Sequence, residues 1–285
     1  MRITIVGATG FIGRPLAAAL RARGDEVVEA SLRDPQAAAR ACAGSDVVVN
    51  LAGAPVSVRW TAASKRAMWF SRVDAPRAML DALVEQPARP SAYVSASAVG
   101  YYGTSLTATF VEDSPPGTDE LARLCIAWEA EADRAADFGM RVAKVRTGLV
   151  LGLGGGVLGK LAPLYRLGLG GPIASGRQWY SWIHLADQLG IYLHAIDGAA
   201  GVFDATAPEP VTNAEFNRAL GRAVHRPAIF PVPAFAAAAI LGEGAYVITE
   251  GQRVLPQRTL ASGYVFRFPE LDAALADLFT SVPAG

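Results

Sequence analysis

At 285 residues, with 52% hydrophobic and 18% charged side chains and 26 basic residues balanced by 26 acidic ones, the chain can bury roughly three quarters of its unfolded surface. That balance excludes a disordered segment and a nucleic-acid-binding protein, and it implies one large domain or one domain plus a smaller lobe. The two cysteines, Cys42 and Cys125, have neither CxxC nor His-rich company, which argues against a disulfide framework and a metal site and suits a reducing compartment.

The chain opens on a short apolar run at residues 2–6 with no charged leader or apolar h-region ahead of it, so a cytoplasmic location is expected. Residues 7–13 are Gly-rich, and residues 14–23 have helical spacing with Leu16 and Leu20 on one face, which gives strand, turn, helix. Residues 26–31 read as a second strand, 37–43 as a short helix and 46–50 as a third strand. Further strands are expected at 92–95, 141–145 and 202–205, with helices near 75–85, 120–138 and 184–196. Strands alternating with helices imply an α/β fold: a Rossmann-type doubly wound parallel sheet, covered on both faces. Past about residue 150 the alternation loosens into a Gly-rich stretch at 151–176, a Pro-rich stretch at 227–233 and a last helix at 269–279. The apolar run at 234–241 is too short for a bilayer and reads as a buried helix. The expected division is a dinucleotide-binding domain at 1–150, with 184–206 returning to the sheet, and a smaller C-terminal substrate lobe at 151–183 and 207–285.

The first motif with chemical content is Gly7-Ala8-Thr9-Gly10-Phe11-Ile12-Gly13. Between a strand and a helix, Gly7 and Gly10 supply a tight turn and close backbone approach to a pyrophosphate, and Gly13 lets the helix pack closely. Near the end of the second strand, NAD sites place an acid on the ribose 2′-OH, whereas NADP sites offer a cation to the 2′-phosphate. Here the chain carries Ser31, Leu32 and Arg33, a hydroxyl and a guanidinium suited to phosphate, so NADP(H) is the expected cofactor. The alternative for Arg33 is a surface pair with Asp34. The third strand runs into Asn50-Leu51-Ala52-Gly53, where small residues let the backbone approach an adenine-ribose unit.

That turn, the GxxGxxG spacing and Ser95-Ala96-Ser97 resemble the short-chain dehydrogenase/reductase superfamily, in the atypical or extended form of the NAD-dependent epimerase/dehydratase family. Ser71-Arg72-Val73, Glu112-Asp113-Ser114-Pro115, Trp128-Glu129-Ala130, Arg146 to Gly152, Leu167 to Pro172 and Trp182-Ile183-His184 are similar to its epimerase family protein subgroup, as are Gly251 to Pro256 and Phe268 to Leu271. The resemblance implies an NADP-binding Rossmann domain with a small C-terminal domain, and leaves the substrate undefined. It also implies that Ser31, Leu51, Ala52, Arg72 and Val150 join Thr9, Phe11, Ile12 and the glycines around the cofactor. One departure stands out: the subgroup often has Arg where this chain has Leu32, which leaves phosphate recognition to Arg33.

The superfamily's chemistry normally rests on a Ser or Thr and a Tyr-x-x-x-Lys pair on one helix face, the ammonium lowering the phenol's pKa. Ser97 suits the first role. None of the eight tyrosines has Lys four residues later, and the helix expected to carry the pair reads Leu124-Cys125-Ile126-Ala127-Trp128-Glu129. Tyr102 and Cys125 are the candidate replacements, with Tyr101 as a second phenol and Glu129 as a candidate acid, against a packed aromatic, a small buried hydrophobe and, for Glu129, a solvated face or an ion pair. Tyr101, Arg177, Trp179 and His184 are candidate substrate contacts; for His184 a helix cap is the competing role. Two functions fit: an NADP-dependent oxidoreductase or epimerase-like enzyme acting on a small molecule, or a non-catalytic NADP(H)-binding redox sensor. A homodimer through helices flanking the sheet is left open.

Overall fold

The computed structural model describes residues 1–280. β-Branched runs make the first strands: β1 (Arg2–Val6), β2 (Glu26–Ala30) and β3 (Val47–Asn50). Between them lie α1 (Gly13–Ala22) and α2 (Pro35–Cys42), the latter starting at Pro35 with the Asp34 carboxylate accepting the Ala37 N–H at 2.9 Å. Next come α3 (Ala62–Trp69), a π-helical turn at Phe70–Asp74, α4 (Ala75–Val84), β4 (Ala92–Ala98) and the short β5 (Thr109–Phe110). Asp119 caps α5 (Glu120–Asp137), which leads into β6 (Arg141–Thr147) and β7 (Leu149–Leu151). Then follow α6 (Gly156–Arg166), β8 (Trp179–Tyr180), β9 (Trp182–His184), α7 (Leu185–Ile196) and β10 (Gly201–Ala205).

Six strands form one parallel sheet in the order β10-β6-β4-β3-β1-β2. The direction of winding reverses between β1 and β3, where Val6 pairs with Asn50, and ligands of open parallel sheets sit at the carboxyl ends of the strands at such a point. Helices α1 and α7 cover one face through Leu16, Leu20 and Ile191. On the other face, α2, α4 and α5 contribute Ala39, Met79, Leu80 and Ala132, so the sheet is doubly wound as expected.

The rest of the chain supplies β11 (Val211–Thr212), α8 (Asn213–Ala223), α9 (Ala234–Leu241), α10 (Tyr246–Thr249), β12 (Arg253–Val254), α11 (Gln257–Ala261) and α12 (Leu271–Thr280). A separate core of Tyr165, Trp182, Phe216, Leu220 and Leu275 holds α6, β9, α8 and α12 together. Among the described residues no helix is long and apolar enough to cross a membrane.

Three expectations need correction. Strands β4 and β6 run on to Ala98 and Thr147, because the polar Ser97 and Arg146, paired in register, are hydrogen-bonded within the protein rather than released to solvent. Part of the Gly-rich stretch is helix α6, despite Gly159 and Pro163 inside it. Residues 234–241 are helical, but of α9 only Ala237 is buried; Phe235 is 76% and Ile240 70% exposed. An all-apolar octapeptide has no polar face to orient it, so its neighbours alone set its burial.

Candidate functional site

Gly7 follows β1 with φ +90°, a conformation other residues rarely adopt, and its N–H donates to the Ala30 carbonyl at 3.0 Å. A Cβ on Gly13 would collide with the Gly7 carbonyl oxygen and come within 2.9 Å of Ala8 Cα, so only glycine lets α1 start this close to the turn. Helix α1 has no side-chain cap and no acid in its first turn, and Thr9 and Gly10 beside it are exposed. An uncapped helix N-terminus over a glycine cradle is an anion site. Phe11 and Ile12 turn inward against the core, and the Phe11 ring fills the space beside Gly152, Gly155 and Gly156, next to the Val150 carbonyl.

At the end of β2, Ser31 and Arg33 are exposed, while Leu32 is buried beside Val6 and Ala38. Ser31 Oγ accepts the Arg33 N–H at 3.3 Å. Asp34 is spent capping α2, and no carboxylate pairs with the Arg33 guanidinium among the described residues. The β3 end is fixed by Asn50, which donates to the Tyr93 hydroxyl at 2.9 Å and accepts the Ala52 N–H at 3.1 Å. Leu51 N–H donates to Val6 at 2.8 Å, closing the β1–β3 junction. Beyond it, Ser71 Oγ accepts the Ala54 N–H and Arg72 Nη1 donates to the Ala54 carbonyl, both at 2.9 Å. The guanidinium lies so close under Gly53 that a Cβ there would meet Nη2 at 2.8 Å, and its Cζ stands 5.0 Å from the Trp128 ring centre. Arg72 likewise has no carboxylate partner among the described residues, and burial holds its pKa below the usual range.

At the end of β4 a buried network takes over. Ser97 Oγ donates to Glu129 Oε1 at 2.7 Å, and Glu129 receives Arg146 in a two-pronged ion pair at 2.7 and 2.9 Å. Arg146 Nη1 donates to the Tyr102 hydroxyl at 2.9 Å and the Glu112 carbonyl at 3.1 Å, and its Cζ lies 3.4 Å from the Tyr101 ring centre. Tyr102 in turn donates to the Asp204 carboxylate at 2.8 Å. Burial opposes the charge of Arg146, but the Glu129 carboxylate outweighs it and raises its pKa. Burial, then the nearby charge of Glu112, pushes the Asp204 carboxyl well above the carboxylate range; burial and Asp204 push the Tyr102 phenol up. Glu112 itself accepts backbone N–H groups of Arg258, Thr259 and Asp204 and the Thr259 hydroxyl.

The structure thus brings Ser97, Tyr101, Tyr102 and Glu129 together around Arg146, but with the Tyr102 hydroxyl bonded on both sides and the Ser97 proton committed to Glu129. Cys125 sits under the turn at Gly100, its thiol pushed up to about 12 by burial and then by the charge of Glu129. The α5 face toward that turn presents Leu121, Cys125 and Glu129 at four-residue intervals, with no phenol or ammonium among them. His184 caps α7, its Nδ1 accepting the Ala186 N–H at 3.1 Å, and packs on Phe268 with Asp277 3.4 Å away. Burial lowers its pKa against the pull of Asp277. Trp179 donates its indole N–H to Leu106 under Arg253, and Arg177 is exposed; no hydrogen bond among the described residues links any of these three to the Arg146 network. Sequence reasoning missed Arg146, Asp204 and Glu112 as site-building residues, although the lone charge in the apolar strand β10, Phe203-Asp204, is a readable signal for Asp204; Arg146 is one of three basic residues in β6 and has no such signal.

Known proteins similar to this chain bear on its family and fold. Residues 3–204 match the NAD dependent epimerase/dehydratase family, and residues 232–278 match a domain of unknown function, DUF1731. The human Epimerase family protein SDR39U1 is 42% identical over 98% of this chain and 99% of its own. A chloroplastic homologue from Arabidopsis thaliana is 40% identical over 96% of this chain and 86% of its own. The crystal structure of human SDR39U1 (isoform 2) with NADPH superposes with a TM-score of 0.91 at 38% identity, covering 99% of this chain and 100% of that one. A family match over residues 3–204 and full-length similarity at this level make the chain a member of the NAD-dependent epimerase/dehydratase family.

Proposed function

We propose that this protein is an NADP(H)-dependent oxidoreductase or epimerase-like enzyme acting on a small molecule. The observation that carries the cofactor reading is the pair of guanidiniums, Arg33 and Arg72, left without carboxylate partners beside an uncapped helix N-terminus. The residues fit such a group: the α1 N–H groups and Gly7–Gly13 cradle would take the pyrophosphate, Ser31 and Arg33 the 2′-phosphate, and Leu51, Ala52, Gly53, Arg72 and Val150 the remaining contacts. The NADPH in the human relative's crystal structure supports this. When bound, a nicotinamide dinucleotide gives or takes a hydride. The protein's share is then orientation and a proton. With Ser97 and Tyr102 tied into the buried network and the Cys125 thiol pushed up by burial under Gly100, the proton route falls to Tyr101, whose hydroxyl makes no hydrogen bond among the described residues and whose ring is pinned by Arg146. The free, buried Cys42 and Cys125 suit a cytoplasmic setting.

The tethering of Ser97 and Tyr102 and the burial of Cys125 also favour a second reading, a non-catalytic NADP(H) sensor. Titration by nicotinamide fluorescence tests the cofactor: NADPH binds more tightly than NADH, and Arg33→Ala erases about tenfold or more of that preference. Hydride transfer across a carbonyl and alcohol panel tests the enzyme, with Tyr101→Phe slowing turnover while NADPH affinity holds. Turnover indifferent to Tyr101→Phe would remove the proposed proton route; binding without any turnover would leave the sensor.

A further inference from the structure

A cavity of about 310 Å³ lies between α3 and α5, walled by Trp60, Met68, Trp69, Leu121 and Leu124. Its size is at the lower end for small-molecule sites. Both flanking helices run into the site described above: α3 continues through the π-helical turn to Ser71 and Arg72, and Leu121 packs against Gly100, next to Tyr101. The wall is held from the C-terminal segment. Trp60 meets Tyr246 edge-on at 5.4 Å between ring centres, its backbone N–H donates to Leu241, and the Tyr246 hydroxyl accepts the Leu121 N–H at 3.2 Å.

The polar groups of this cavity are largely spoken for. The Trp60 indole N–H donates to the Val56 carbonyl at 2.9 Å, and the Lys65 ammonium is shared by two carboxylates, Glu120 and Glu243. Arg123 is different: its guanidinium donates to the Thr118 carbonyl and has no carboxylate partner among the described residues. Two indoles, a thioether and two leucines beside one guanidinium that lacks a carboxylate partner among the described residues suit a flat apolar surface with one negative charge at that guanidinium, and offer little to the many hydroxyls of a sugar.

We propose that this cavity is the substrate-recognition pocket and takes an aromatic or flat apolar ring system carrying a single anionic group, paired with Arg123. The assignment of the occupant as substrate rests on the enzymatic reading above; the ligand site itself does not.

The test uses the full chain with saturating NADPH, so that the dinucleotide cradle is filled. The probe is 1-anilinonaphthalene-8-sulfonate, followed by fluorescence, with 2-naphthoate and UDP-glucose as competitors. Trp69 is 43% exposed and Arg123 lies on the surface, so Trp69→Ala and Arg123→Ala spare the core, and NADPH titration reports their folding. Each variant weakens the probe by roughly five- to tenfold, the scale of one aromatic wall or one charge contact, with NADPH affinity unchanged. Displacement by 2-naphthoate but not by UDP-glucose is expected. Probe affinity within twofold of wild type in both variants, or displacement by UDP-glucose alone, overturns the proposal. Trp69- and Arg123-dependent binding with no turnover of any ring-bearing carbonyl or alcohol keeps the ligand site and overturns the enzymatic reading instead.

Discussion

The ion pair between Glu129 and Arg146 can be tested as a unit. Their side chains are 5% and 4% exposed, and the pair is two-pronged at 2.7 and 2.9 Å. Removing one member of such a buried pair strands the other charge, at a cost of about 3–5 kcal/mol. Arg146→Met leaves the Glu129 carboxylate with the Ser97 hydroxyl and with Lys144 at 3.8 Å, which places this change near the lower end. Glu129→Gln leaves the guanidinium with neutral partners only, the Tyr102 hydroxyl, the Glu112 carbonyl and the Tyr101 ring, and should cost at least as much. The double variant strands neither charge. It is expected to cost little more than the worse single change, a coupling of about 2–4 kcal/mol in a double-mutant cycle. Urea unfolding of the four proteins, read as midpoints at constant m-value, supplies the numbers. Single costs below about 1 kcal/mol would mean that the pair behaves as an exposed one, and additivity within about 0.5 kcal/mol would refute the coupling outright.

Other outcomes follow from the same geometry. Gly13→Ala drives a methyl group into the Gly7 carbonyl and Ala8 backbone, which cannot swing aside; a loss of about 1–3 kcal/mol and of dinucleotide binding is expected by thermal unfolding and NADPH titration, and normal binding would count against the cradle. Both thiols, pushed up to about 12 mainly by burial, should stay silent to 5,5′-dithiobis(2-nitrobenzoate) at pH 8 until the chain unfolds; prompt labelling of Cys125 would contradict its place under Gly100. Asp204 has a folded-state pKa raised above its unfolded value, so the folded state holds its proton longer. Its contribution is fully present below about pH 4 and is lost as pH rises toward the folded value. Asp204→Asn should flatten that decline in unfolding curves taken from pH 5 to pH 9; an unchanged slope would assign the decline to other groups.

Much of the sheet can be read directly from residue order. Val47 to Val49 leaves little choice but a buried strand, and Gly7 to Gly13 between a strand and a helical stripe leaves little choice but a phosphate-type turn. The glycine turn and the Ser31–Arg33 strand end are legible because close backbone approach and an exposed cation are properties of short segments. The network around Arg146 is not, because Ser97, Tyr102, Glu112, Glu129 and Asp204 meet only through strand order and register across more than a hundred residues. Ser97 shows the difference: its residue type and its place at a strand end suggest an outward hydroxyl, whereas its actual partner lies 32 positions away on α5. Segment 234–241 failed for the opposite reason, having a composition but no period.

The four donors gathered on Glu112 bear on how this protein is inherited. Three come from Arg258 and Thr259, inside the segment that matches DUF1731, while the carboxylate and the Asp204 N–H belong to the part that matches the epimerase family. A recombination event that exchanged the C-terminal segment would strand a buried carboxylate against the edge strand of the sheet. The two stretches, separable as sequence profiles, are therefore one unit of exchange, and a chain cut between them should fail to fold rather than yield a bare dinucleotide-binding module.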